Sequence, residues 1–453
     1  MNLALAAALA VSLLLPAVAA AEDVPGSEIA TDATLAVAPD GSPRVAFVGG
    51  GELRVAARGA DGSWTAETAA PLPGSSAIVD SAAVAPGGAS FVLVQDPNGR
   101  WLALEERTTA GWRGHVLVAR VATGASLGLA GLALDAAGRP VVAYALRLPS
   151  RATFLRIVRP DARGRYVTKR VTRGGFPPSD TIPSATPVVL PSGVVRVVET
   201  YARATIEWTP KGRDWQGQFL YASALGSAAG PVAASAAAGG VYSAWTELFA
   251  AFGESHLVLT LHRDGEQTTI LHRHAFLVGL AVSPDGPELA ANDYVDGADL
   301  GAPDWLDYAG LVVPGLGAPF ELAGKLAGYA VDRAGGRQYL LRSAARLEWY
   351  RSASLPTARV ELTAVPAPGA VSLAGRVTGS AGGAVELYRE QAGRAPLLVA
   401  TVPLAADGSF AAVDAAPPAA ALLYRAVFRD AAGGLPSASL LRAAVRPGAP
   451  AAR

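Results

Sequence analysis

The sequence predicts an all-β chain, a seven-bladed β-propeller followed by a small β-sandwich. Three observations point there. Apolar residues alternate with smaller or polar ones, as at Leu35 and Val37, Val45 and Phe47, and Leu53 and Val55, which is the period of strands with one better-buried face. A Pro/Asp/Gly turn recurs through most of the chain at a nearly fixed step. After Pro356 that step gives way to closely spaced strands and turns.

The first unit runs from Ala33 through Val48, then Glu52 to Ala57 and Asp61 to Thr68, enough for four short strands. Its first turn, Pro39-Asp40-Gly41, returns as Pro86-Gly87-Gly88, Asp135 to Gly138, Pro191 to Gly193, Ala238 to Gly240, Pro284 to Gly286 and Asp332 to Gly335. The last glycines of these turns lie 47, 50, 55, 47, 46 and 49 residues apart, which makes seven units. Proline presets the turn dihedral and glycine supplies positive φ, so these positions repeat for a mechanical reason. An aromatic opens the fourth strand at Trp64, Trp112, Tyr166 and Trp215, where packing between blades accounts for it. The seventh unit has strands at Leu326 to Val331, Arg337 to Arg342 and Arg346 to Tyr350 but no fourth. The segment Pro25 to Ala30 is expected to supply it and close the ring, removing an open edge. The propeller domain then spans residues 22–355.

The stretch Leu132-Ala-Leu-Asp135-Ala-Ala-Gly138-Arg-Pro140-Val-Val-Ala-Tyr144 resembles the repeats of a bacterial secreted β-propeller family. The likeness is clearest in the first three units. It implies a propeller acting as a binding or surface module, without one shared chemistry. Residues 357–447 carry strand signals at Arg359 to Val365, Val371 to Val377, Ala384 to Glu390, Leu397 to Val402, Ser409 to Val413, Leu422 to Asp430 and Ala438 to Val445. That pattern resembles the immunoglobulin-like or fibronectin-III-like modules appended to many secreted bacterial proteins, and implies a spacer or docking role. Residues 448–453 read as a disordered tail.

At the other end, the apolar run Leu3 to Leu15 precedes Pro16 and the small residues Ala17 to Ala21, the layout of a secretory signal peptide over residues 1–21. The expected address is secreted, extracellular or cell-surface. Retention of that segment as an anchor is the alternative, since Asn2 to Ala21 could just span a membrane and the n-region Met1-Asn2 has no Lys or Arg. No later run is long enough to span a membrane, so none is expected after signal cleavage. Basic and acidic residues balance at 38 each, which argues against a nucleic-acid partner. The absence of cysteine excludes disulfides, thiolate zinc sites and a cysteine nucleophile.

Chemical motifs are sparse. No P-loop, Rossmann glycine pattern or nucleophile elbow is present. Ala60-Asp61-Gly62-Ser63-Trp64 matches the Asp boxes of sialidase-like propellers only in part, and His272 and His274 lack metal-ligand company. Loops are more informative. Those joining second to third strands are enlarged at Arg147 to Ala152, Leu248 to Ser255 and Asn292 to Asp307, and all three belong to one face. Ten Lys/Arg and one acid fall between Arg139 and Arg173, whereas seven acids and no base fall between Val282 and Tyr308. The expected ligand site is therefore this face, with Arg147, Arg151, Trp245, Glu247, Tyr294, Asp296, Trp305 and Tyr308. A glycan or a cell-surface protein is the expected partner, with no catalytic residue assigned and no cofactor required. Asp293, Asp296 and Asp299 form a weak Ca²⁺ alternative to a solvated loop, because their spacing is not that of a calcium loop. The rival function is a polysaccharide-active hydrolase using carboxylates such as Glu247 on the same face.

Overall fold

The computed structural model describes residues 21–73, 76–172, 183–201, 204–222, 226–237, 240–251, 254–263, 266–271, 275–294, 308–314, 320–343, 346–353, 357–380, 382–390, 397–415, 417–418, 422–431, 435–439 and 443–445. The chain is all-β. Regular structure among these residues is strand throughout, apart from a short 3-10 turn at Ser27–Ile29. No helix among them is long and apolar enough to cross a membrane.

Up to Ser352 the strands fall into successive antiparallel groups of four, of which the third and fourth join into one nine-stranded sheet through the parallel pairing of Leu129 with Ser184 and Ala130 with Ala185, and Ser126–Leu127 adds to Pro140–Arg147. The first is Asp32–Val37, Pro43–Gly49, Glu52–Arg58 and Trp64–Pro71, and the second Ile78–Val84, Ser90–Gln95, Leu102–Thr108 and Gly111–Val118. The third is Leu129–Leu134, Pro140–Arg147, Thr153–Pro160 and Tyr166–Arg170, and the fourth Ser184–Val189, Val195–Tyr201, Ala204–Lys211 and Asp214–Ala222. The fifth comprises Gly226–Ala237, Gly240–Ala251, Glu254–Arg263 and Glu266–Leu271, the sixth Ala275–Ser283, Gly286–Tyr294, Tyr308–Pro314 and Phe320–Ala323. Lys325–Val331, Arg337–Ser343 and Arg346–Ser352 complete the series, with Glu22–Asp23 as their fourth strand. The leading strand of each group packs on that of the next, and Lys325–Val331 returns to Asp32–Val37, so the leading strands close a ring.

Packing follows the alternation seen in the sequence. Val45, Phe47 and Ala56 of the first group meet Leu340, Leu347 and Trp349 of the last, while Leu93 and Leu104 of the second meet Leu132, Val142 and Tyr144 of the third. The turn glycines Gly41, Gly88, Gly138, Gly193, Gly286 and Gly335 all have positive φ, as their repetition required. Asp61 serves its turn, accepting the Ser63 amide (3.0 Å) and hydroxyl (2.7 Å), and Asp40 holds Ser42 in the same way. The partial Asp box is thus a turn device.

Two expectations need correction. Closure comes from Glu22–Asp23, paired as Glu22 with Trp349 and Asp23 with Glu348, whereas the segment from Pro25 to Ala30 turns inward and plugs the seam. The enlarged loop expected from Leu248 to Ser255 is instead the tip of a long hairpin, paired through to Ala251 and Glu254. The segment leading to the tip, Leu248 to Ala251, is apolar throughout, and pairing wins over looping there.

Glu199, in the second strand of the fourth group, is fully enclosed and accepts the Trp208 indole N–H at 3.0 Å. Burial pushes its carboxyl up to about 8. An unfolded carboxyl titrates near ~4.3, so the stability gained by keeping this proton is full below that pH and is lost as pH rises through the folded value. Glu199→Gln keeps an acceptor for Trp208 and removes the titration. It is expected to melt like the wild type near about pH 4 and several degrees higher near about pH 8.5, by calorimetry across pH. A difference independent of pH would show that Glu199 holds no buried proton.

Beyond Thr357, Arg359–Ala367, Ala370–Thr378 and Ser409–Asp414 form one sheet; Leu397–Pro403, Gly383–Glu390 and Leu422–Asp430, with the short Ser437–Ala438 and Ala443–Val445, form another. Val371, Leu373, Val385, Leu387, Tyr424 and Phe428 build a shared apolar core. This unit rests on the ring, where Ala323 donates to Pro436 O (2.7 Å) and the Arg359 guanidinium lies over Phe320 at 5.6 Å.

Candidate functional site

The leading strands converge on a cavity of about 420 Å³ along the ring axis. Small residues allow that convergence. A Cβ on Gly131 would stand 2.7 Å from Thr186 Cα, and one on Gly328 would stand 2.6 Å from Leu35 Cβ, so both positions exclude larger side chains. Much of the polar lining holds neighbouring groups together. Ser184 Oγ accepts the Val232 amide (3.1 Å), and Thr186 Oγ1 donates to Val232 O (2.6 Å).

Two carboxylates also line the cavity, Asp32 and Asp80. Asp32 opens its strand opposite Val48, and its Oδ2 accepts the Val79 amide at 2.8 Å. Asp80 is the extra residue of a bulge between Val79 and Ser81, the kind of irregularity that re-aims a side chain. With its amide nitrogen facing the acceptors, Gln95 donates to Asp80 Oδ2 (2.8 Å) and Gly128 O (3.2 Å). Burial pushes the Asp80 carboxyl well above the usual carboxylate range, and repulsion from Asp32 adds to it. Burial also raises Asp32, opposed by the Val79 and Ala33 amides and the charges of Lys325 and Arg342. Asp80 is therefore the better proton holder and Asp32 the better acceptor. Two carboxyls of unequal basicity on one wall are an arrangement able to grip hydroxyls or to divide acid and base roles.

Both carboxylates lie at the ring edge where second strands end, because Asp32 faces Val48 and Val79 faces Val94. Arg147 ends its own second strand at the same edge, half-buried and paired with Thr153. Its charge reaches Tyr201 of the next group. Arg151 sits in the following turn, exposed, with φ of 63°, a left-handed conformation unfavourable for a side chain. The turn is closed by Leu148 N to Ala152 O and Arg151 N to Leu148 O, both 2.8 Å.

The other expected site residues divide. Trp245 is fully buried against Val198 and Val232 between the fourth and fifth groups, so it packs the core and does not face the edge. Glu247 lies on the same strand, its backbone paired with Val258 and Ala228. Tyr294 and Tyr308 pair with each other at the base of the sixth group's long connection. Asp296, Asp299 and Trp305 lie outside the described residues. Asp293 is buried in its strand, and among the described residues no cluster of His, Asp and Glu could hold a metal. Much of the expected charge polarity is spent locally. Arg139 and Arg165 pair with Asp135 (2.8 Å) and Asp161 (2.9 Å), and Asp285 and Glu288 pair with Arg337.

Asp32 and Asp80 are absent from the sequence-based expectation. Their signal is the repeat itself: they lie 48 residues apart, one repeat step, and the bulge at Asp80 hides the correspondence from fixed-offset alignment on the turns.

No family model and no curated protein matches the chain. Among solved structures, the chain is similar to the β-propeller domain of the Trilobed protease from Pyrococcus furiosus, with 9% identity, 75% of this chain and 96% of that chain covered, and a TM-score of 0.42. It is also similar to an α-L-arabinanase of Penicillium chrysogenum solved with arabinobiose, at 9% identity, 75% and 98% coverage and TM-score 0.39. A third similar structure is AofleA from Arthrobotrys oligospora, at 13% identity, 68% and 91% coverage and TM-score 0.41.

Proposed function

We propose that this chain is a secreted or cell-surface glycan-binding protein, a seven-bladed propeller with an immunoglobulin-like or fibronectin-III-like module behind it. In this reading residues 1–21 are a cleaved signal peptide, each group of four strands is a blade, and the C-terminal pair of sheets is a spacer or docking module. The observation that carries it is the axial cavity with Asp32 and Asp80 on its wall, at the edge that also bears Arg147 and Arg151. Tyr294, paired with Tyr308 where the sixth group's second strand ends, lies at the same edge.

Screening the chain from Glu22 onward on a glycan array tests this. Binding is expected, weakened at least about tenfold by Asp32→Asn, the loss of one charge-assisted hydrogen bond. Arg151→Ala is expected to weaken it less. Unchanged binding in Asp32→Asn would remove the cavity from the site. The rival reading is a hydrolase: of the two carboxyls lining the cavity, Asp80, the more strongly raised, would be the acid and Asp32 the base of a glycosidase pair. Release of reducing sugar, abolished by Asp80→Asn, would establish that reading.

A further inference from the structure

A second cleft, of about 410 Å³, opens between the first and second groups at the opposite end of the ring from Arg147, beside the turn Gly87-Gly88. Its size falls in the usual range for small-ligand sites, roughly 300–1,000 Å³. Arg44, Thr65, Glu67, Arg107, Thr108 and Trp112 supply its polar and aromatic lining.

The aromatic is the one the repeat places at the start of every early fourth strand, and comparison within the repeat is informative. In the first unit the Trp64 indole N–H donates to Glu22 (2.7 Å), and its ring meets Trp349 edge-on at 5.8 Å. In the second unit the Trp112 indole N–H is enclosed and has no acceptor. A buried donor without a partner is costly and calls for a cause. Here its ring lines a cleft whose other groups are complementary. Arg107 Nε donates to Glu67 Oε1 at 2.8 Å and its Nη1 to Thr108 O at 2.6 Å, and both residues line the cleft. Arg44 turns its Nη1 onto the carbonyls of Pro43 (2.9 Å) and Arg58 (3.3 Å).

Donors and a carboxylate acceptor thus stand side by side next to an indole and the apolar side chains of Val55 and Ala57. A sugar ring fits this chemistry, since each hydroxyl both donates and accepts while the C–H face packs on apolar surface. Glu67 offsets Arg107 and the neighbouring Asp40 offsets Arg44, and Glu67 repels carboxylates, so the ligand is neutral. We propose that the cleft between the first and second groups binds a single neutral pentose or hexose unit, with Arg107 and Glu67 as its hydrogen-bonding residues and the Trp112 ring as the surface beside them. This site is separate from the axial cavity and stands without it.

Indole ¹⁵N–¹H spectra of tryptophan-labelled protein test it, with Trp112→Phe identifying the Trp112 signal. The probes are methyl glycosides of neutral pentoses and hexoses, with glucuronate and galacturonate as charged controls. At least one neutral glycoside is expected to shift the Trp112 signal. Glu67→Gln, a surface change that keeps the fold, is expected to weaken that binding at least about tenfold, and Asp32→Asn to leave it unchanged. No shift with any neutral glycoside at about 50 mM, weaker than any useful affinity, would overturn the proposal. So would a response confined to the uronates, or one that survives Glu67→Gln.

Discussion

Deletion of residues 22–30 is expected to lower the melting temperature by on the order of 10 °C or more. The segment is a clasp with three components. Its backbone extends the last group, with Glu22 and Asp23 paired to Trp349 and Glu348 and the Val24 amide donating to Leu347 O at 2.9 Å. Its apolar residues Val24 and Ala30 are buried in one core with Phe47, Leu340 and Trp349. Its carboxylate joins the two ends of the ring: Glu22 receives Arg58 through Nε (2.6 Å) and Nη2 (2.7 Å), and the Trp64 indole at 2.7 Å, while the Arg58 guanidinium stacks over Trp349 at 5.1 Å. Removing all three exposes a strand edge and leaves Arg58 and Trp64 without their acceptor.

Glu22→Gln isolates the electrostatic part and is expected to cost about 1–3 kcal/mol near neutral pH, because the bonds are charge-assisted and half-buried. Burial alone would raise the Glu22 carboxyl, but Arg58 and Trp64 hold it below the usual range. Its contribution is therefore present above about pH 4.3 and fades as pH falls through the lower folded value. Denaturant titration of wild type and Glu22→Gln at both pH values checks this. A deletion that melts like the wild type would show that the ring closes without its clasp.

Arg337→Met is expected to destabilise the protein by about 3–5 kcal/mol, because it strands a buried charge. Glu288 and Arg337 are 1% and 5% exposed, on the second strands of the sixth and last groups. Arg337 Nη2 meets Glu288 Oε1 at 2.6 Å and Asp285 at 3.1 Å, and the Tyr329 hydroxyl also donates to Glu288. Burial by itself would raise the Glu288 carboxyl, but Arg337, Ser283 and Tyr329 hold it below its usual value. The double variant Arg337→Met with Glu288→Leu removes both charges and is expected to recover most of the loss, since desolvation then costs nothing. Urea denaturation of the cycle measures the coupling. A single variant costing under about 1 kcal/mol would mean that water reaches the pair.

Much of the architecture was legible because its causes are local. Positive φ at Gly41, Gly88 and Gly335 and alternation at Val45 and Phe47 act over a few residues, so they mark strands and turns directly. The edge bearing Arg147 and Arg151 was legible for the same reason, since strand order fixes which loops share an end. Misread positions depended on partners distant in sequence. Trp245 looks like an exposed aromatic beside an acid, yet Val198 and Val232 enclose it. The Leu248 to Ser255 segment looks like a loop, yet pairing holds it extended.

By itself, the sequence determined an all-β chain with a repeating four-strand unit and a change of pattern after Pro356. Only the tertiary structure decided that Glu22 and Asp23 form the closing strand, that Asp32 and Asp80 share one cavity, and that Trp112 differs from Trp64 in lacking an acceptor. The division has a physical reason. Turn dihedrals and side-chain alternation are properties of neighbouring residues, whereas closure, bulges and hydrogen-bond satisfaction arise only when groups a full repeat or a full ring apart are brought together.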